Sequence, residues 1–129
     1  MNAATETAAP ITITLPTLAP GEHWAGILFG KDGAPDQHII KLPGDAEKNW
    51  DGASAWAKEQ GGELPTRREL ALVYANLPEQ VERDWYWSCE QLADDPAFAW
   101  LQSFSDGSQD WDLKGDRFRV FAVRREPIR

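Results

Sequence analysis

The 129-residue chain contains one cysteine, one methionine and two histidines. The single cysteine, Cys89, excludes an intramolecular disulfide and points to a reducing compartment. The two histidines, His23 and His38, both fall in the N-terminal third. No His/Cys cluster suits zinc. Nothing places either histidine beside Cys89 or an activated serine, so nucleophilic catalysis lacks its base. No segment approaches the roughly 20 apolar residues of a membrane helix. The stretch Met1 to Pro20 has neither the basic start nor the apolar block of a signal peptide. No glycine-rich phosphate loop follows a strand pattern. The expectation is a protein that enters no membrane, uses no export signal and needs no cofactor or metal.

Positive charge is scarce as well. The formal net charge is −8. Residues 1–113 carry 7 Lys/Arg against 19 Asp/Glu, whereas residues 114–129 carry 6 against 2. From Asp84 to Asp112 there are seven acidic residues and no Lys or Arg. General affinity for nucleic acid needs clustered cations, so no direct nucleic-acid contact is expected. The acidic stretch has two readings. It is a solvated face opposite a basic last strand, or a surface that prefers a cationic partner.

What the chain has in excess is tryptophan, seven in all. Four lie in a run of short strand patterns. Trp85-Tyr86-Trp87-Ser88-Cys89 alternates, with Trp85, Trp87 and Cys89 on one side. Phe98, Trp100, Gln102 and Phe104 share a face of the next strand. Asp106-Gly107 predicts a type I′ hairpin, with positive φ at both positions, and Gln109 to Leu113 returns. Arg117 to Arg125 reads as one last strand, with Phe118, Val120 and Ala122 on one face.

Upstream, Ile11-Thr12-Ile13-Thr14-Leu15 alternates and predicts a strand, ended by Pro16 and Pro20. Trp24 to Phe29 and Gln37 to Leu42 form a pair around the turn Lys31-Asp32-Gly33. A helix follows, with Asp51 as expected N-cap and Ala53, Trp56 and Ala57 on one face, stopped at Gly61-Gly62. Thr66-Arg67-Arg68-Glu69 predicts a capping box at the start of a second helix, which Pro78 closes. The expected organisation is a loose tail at 1–9 and a single domain at 10–129.

Certain residues now become recognisable. Gly61-Gly62-Glu63-Leu64-Pro65-Thr66-Arg67-Arg68-Glu69-Leu70 resembles the "GG-x-x-LPT-x-x-EL" signature of a bacterial and phage family. That family is typified by the C-terminal domain of collagen-like bacterial adhesins. Tyr86-Trp87-Ser88 with Glu90 is similar to its "YWSS-x-E" strand, Trp100 to Gly107 to its "W-x-x-x-F-x-x-G" hairpin, and Ala122-Val123-Arg124 to its "CVR" end. The resemblance spans about residues 50–125. It implies an α+β, C-type-lectin-like fold: two helices on a twisted antiparallel sheet with paired N- and C-terminal strands. Ile11–Leu15 and Val120–Arg124 fit that pairing. Cys89 stands where serine is usual and Ala122 where cysteine is common, which removes a disulfide open to some relatives. The resemblance further implies a non-enzymatic binding module, phage-borne or bacterial, either cytoplasmic in a host cell or attached to a virion. Its formylglycine-generating relatives depend on paired cysteines, which one cysteine cannot reproduce.

In such a fold the late hairpins form the ligand face. The candidate contact residues are therefore Trp85, Gln102, Asp106, Gln109, Asp110, Trp111 and Asp112. Trp111, between two aspartates, is a candidate interface anchor, with cross-strand packing as its plainer role. Trp56, Trp87 and Trp100 are expected in the core. Asp106, Asp110 and Asp112 have calcium-ligand chemistry, but the Glu-Pro-Asn or Gln-Pro-Asp loop of calcium-dependent lectins is absent. The expected partner is a protein or glycan. The alternative is an acidic phage-encoded inhibitor or regulator that docks on a basic host protein.

Overall fold

A computed structural model describes residues 9–129, so the expected tail at 1–9 lies, apart from Ala9, outside the described residues. The chain is α+β. Its first strands, β1 (His23–Leu28) and β2 (Gln37–Lys41), pair antiparallel as expected. The turn between them carries positive φ at both Asp32 and Gly33, and the Ala34 amide donates to the Lys31 carbonyl at 3.0 Å. This is the type I′ geometry that was expected at Asp106-Gly107.

A short strand follows, β3 (Ala46–Lys48), and then helix α1 (Trp50–Glu59). The α1 cap is Asn49, whose side chain accepts from the Gly52 amide, and not Asp51, which lies in the first turn. Its end is a Schellman motif: Gly62 N–H donates to Ala57 O and Gly61 N–H to Lys58 O. Helix α2 (Arg67–Asn76) begins with the predicted capping box, Thr66 and Glu69 each bonding the other's backbone N–H. Gly62 has a second role. A Cβ there would lie 2.4 Å from the Val123 carbonyl oxygen. That close approach lets Glu63 exchange two backbone hydrogen bonds with Val123, fastening the interhelix segment to the end of the chain.

The second half supplies β4 (Trp85–Leu92), β5 (Asp95–Ser103), β6 (Gln109–Leu113), β7 (Phe118–Val120) and β8 (Val123–Pro127). Five strands form one sheet in the order β3-β7-β4-β5-β6, and three form another in the order β1-β2-β8. The larger sheet is mixed, because β4 and β7 run parallel, so the expectation of a wholly antiparallel sheet is corrected. The single last strand expected at 117–125 is likewise two strands, broken at Phe121-Ala122 and shared between the sheets.

The alternation read from the sequence places the core. Trp87, Leu101, Val120 and Ala122 pack with Ala53 and Ala57 of α1, and Phe118 joins them. Their strand neighbours Tyr86, Phe121 and Val123 pack with Leu70 and Val73 of α2. Successive strand residues point to opposite faces, so the two helices cover opposite sides of β4. Trp87 is fully buried, while Trp56 and Trp100 are half-buried.

One expected strand is absent. Residues 11–15 have no regular structure, and Ile11 and Leu15 are 90% and 61% exposed. The partner of the C-terminal strand is β2, paired with β8 from Gln37↔Pro127 to Lys41↔Val123. Alternation makes a strand only where a sheet edge and a buried face await it. Here β2 holds the β8 edge, and Thr14 makes just one backbone bond to the C-terminus, to Arg129.

Candidate binding site

Register decides which predicted residues can act together. Across β5 and β6, Gln102 pairs with Gln109, Trp100 with Trp111 and Phe98 with Leu113. Directly opposed residues share a face, so these six side chains lie on the α2 side. Leu101 pairs with Asp110 and Ala99 with Asp112. Leu101 and Ala99 belong to the α1-side core, so Asp110 and Asp112 point away from Trp111. Trp85 is half-buried against that same α1-side core. Asp106 sits in the turn. The seven candidates therefore do not form one surface: Gln102, Gln109 and Trp111 come together, Trp85, Asp110 and Asp112 face the other way, and Asp106 stands between.

The Asp106-Gly107 turn is not the type I′ pair expected, because Asp106 is not among the positive-φ residues. It is a wider loop in which Ser103 N–H donates to Ser108 O and Gly107 N–H to Ser103 O. The Asp106 carboxylate accepts from the Ser108 amide and hydroxyl at 3.0 and 2.8 Å, which lowers its pKa. Gly107 has φ +83°, and a Cβ there would lie 2.6 Å from the Tyr74 ring. The loop thus closes directly against α2.

Between that loop, the start of α2 and β5–β6 runs an open groove of 450 Å³, lined by Arg67, Arg68, Ala71, Glu90, Gln102, Gly107 and Gln109. A polar network floors it. Arg67 Nε donates to Gln109 Oε1 at 2.9 Å. Gln109 Nε2 donates to Arg67 O at 2.9 Å and to Gln102 Oε1 at 2.8 Å. The Arg67 guanidinium lies 3.5 Å from the Trp100 ring centroid, and Trp100 meets Trp111 edge-to-face at 5.0 Å. The Glu90 carboxylate accepts from the Arg67 amide at 2.7 Å, at the α2 N-terminus, where the helix dipole favours an anion.

No protein-family model matches the chain, and no curated protein sequence matches it.

Arg67, Arg68 and Glu90 were not among the sequence candidates. A signal was there: two arginines in the first turn of a helix oppose its dipole, so each needs a local partner. Arg67 has the Trp100 face and Gln109, and Arg68 donates to Phe29 O.

The other features offer less. A second open concavity of 520 Å³, lined in part by Tyr74, Pro78, Arg83 and Phe104, holds none of the predicted residues. Cys89 lies at the surface, and its thiol pKa is pushed up by desolvation first and then by Glu90 and Glu69, the wrong direction for a thiolate nucleophile. Among the described residues, no three His, Cys, Asp or Glu side chains converge as metal ligands, and no helix is long and apolar enough to cross a membrane.

Proposed function

We propose that this protein is a non-enzymatic binding module, phage-borne or bacterial, built on a C-type-lectin-like scaffold. It recognises a protein or glycan through the groove between α2 and the β5–β6 hairpin. One observation carries the reading. Trp111 is 46% exposed, is backed edge-to-face by Trp100, and shares a face of β6 with Gln109, which lines a groove floored by the Arg67–Gln109–Gln102 network. A rigid aromatic with a fixed polar group beside it is the usual composition of a binding hot spot. The arrangement of two helices about a mixed sheet, with the first hairpin paired to the C-terminal strand, is compatible with the proposed scaffold.

Glycan and peptide arrays probed with the wild type, Trp111→Ala and Asp112→Ala test this. Trp111→Ala is expected to weaken the selected ligand by about 2 kcal/mol. Asp112→Ala, on the other face, leaves it unchanged. Equal binding by Trp111→Ala with the fold intact removes the assignment.

A second reading has its own observation. Asp94, Asp106, Asp110, Asp112 and Asp116 make no ion pair among the described residues. An acidic regulator would dock this side on a basic host protein. Such binding falls steeply with salt and depends on Asp110 and Asp112, so an affinity flat with salt counts against it. Carboxylates along β6, an edge strand, also serve simply to block edge-to-edge pairing.

A further inference from the structure

Resting on the groove as a ligand site, we infer that its ligand is an N-acetylated sugar, with the acetamido group between Gln102 and Glu90 and the pyranose ring on Trp111. Arg67 has only donors, so the Gln109 oxygen must face it, and the Gln109 amide nitrogen then faces Gln102. Gln102 must answer with its own oxygen. Its Nε2 hydrogens are left without a partner among the described residues, on a side chain only 1% exposed that lines the groove. Among the described residues the one buried side-chain nitrogen or oxygen without a partner is Arg119 Nε, so the Gln102 amide is not sealed off and can donate into the groove.

Glu90 supplies the complement. Its Oε2 takes the Arg67 amide, and its Oε1 makes no hydrogen bond among the described residues. The groove therefore offers one free donor, one free acceptor and, beside them, the Ala71 methyl. A secondary acetamide matches all three. Its carbonyl accepts from Gln102, its N–H donates to Glu90, and its methyl packs on Ala71. The Arg67 Nη groups make no ion pair among the described residues and face sugar hydroxyls. A volume of 450 Å³ suits a small ring rather than a long chain. The flat, exposed indole of Trp111 fits the C–H face of a pyranose. A neutral ligand also avoids the repulsion that a chain of net charge −8 exerts on a polyanion.

Titration calorimetry with tri-N-acetylchitotriose and cellotriose tests the inference, because the two share a β-1,4 backbone and differ in acetamido against hydroxyl. An acetylated trialanine amide serves as the peptide probe. The chitotriose is expected to bind roughly ten-fold or more tightly than cellotriose. Gln102→Glu keeps an oxygen for Gln109 and removes the free donor. Glu90→Gln keeps an oxygen for the Arg67 amide and turns the free acceptor into a donor. Each is expected to abolish the preference without unfolding the protein. Equal binding of the two sugars, preference for the peptide, or no binding of either sugar overturns the acetamido assignment. If another ligand is found and Trp111→Ala abolishes its binding, the groove stands and only the sugar falls. If that ligand ignores Trp111→Ala, the groove falls too.

Discussion

Replacing Arg125 with methionine tests how the groove is held in place. Glu69 belongs to the α2 capping box, yet its side chain is only 4% exposed. Its Oε1 accepts from the Thr66 amide and from Arg125 Nη2, both at 2.8 Å, and its Oε2 accepts from Arg125 Nε at 2.6 Å. Arg125→Met leaves Oε2 without a partner and the charge unpaired. Breaking a buried pair from one side costs about 3–5 kcal/mol. Arg125 is 22% exposed, so water reaches part of the site, and the lower end applies. The further Arg125–Glu63 pair adds little, because Glu63 is 62% exposed. We expect a loss of about 3 kcal/mol by urea unfolding, followed by tryptophan fluorescence, or a midpoint drop of about 1–3 M for a small domain. The double variant Glu69→Leu/Arg125→Met removes both charges and is expected to lose clearly less than the two single losses added together. A single-variant loss under about 1 kcal/mol, or strict additivity, refutes the reasoning.

Three other perturbations follow from particular contacts. Tyr86 donates to Asp45 Oδ2 at 2.5 Å and accepts from the Glu82 amide, and burial raises its pKa, so Tyr86→Phe should cost about 0.5–1.5 kcal/mol in the same unfolding assay. Gly107→Ala puts a Cβ into the Tyr74 ring at positive φ; a loss above about 1 kcal/mol is expected, and an unchanged melting temperature contradicts the close packing. The Glu22 pKa is lowered, chiefly by its hydrogen bond to Arg124. Its stabilisation is therefore full above the ordinary value of 4.5 and is lost as pH falls through the depressed folded value. Glu22→Gln should flatten the fall of the urea midpoint below about pH 4.5, and an unchanged pH profile speaks against the pair.

Much of this fold is written in local chemistry. The Thr66–Glu69 box and the alternation of Trp85-Tyr86-Trp87 and of Phe118, Val120 and Ala122 each depend on neighbours a few residues away, and the structure has them as read. The misreadings are non-local. Strand β3 is three residues long and exists because Val120, Arg119 and Phe118 lie beside it. Ile11–Leu15 has a good pattern but no buried face to fill: Ile11, Ile13 and Leu15 all stay exposed. The break at Phe121-Ala122 follows from two sheets sharing one chain segment. For the site, residue type pointed to Gln102, Gln109 and Trp111; alternation along β6 turns Asp110 and Asp112 to the other face, and the β5–β6 register shows which face looks toward α2. Arg67 and Glu90 were hidden because they come from a helix start and another strand, brought to the groove by tertiary packing.

The most direct test of the groove uses the seven indole N–H resonances in a heteronuclear NMR titration, with tri-N-acetylchitotriose or an array-selected ligand. The account predicts shifts at the Trp100 and Trp111 indoles and at the Gln102 and Gln109 side-chain amides. The Trp24, Trp50, Trp56, Trp85 and Trp87 indoles should stay in place. Saturable shifts at Trp85, with Trp100, Trp111 and both glutamines unmoved, would contradict it.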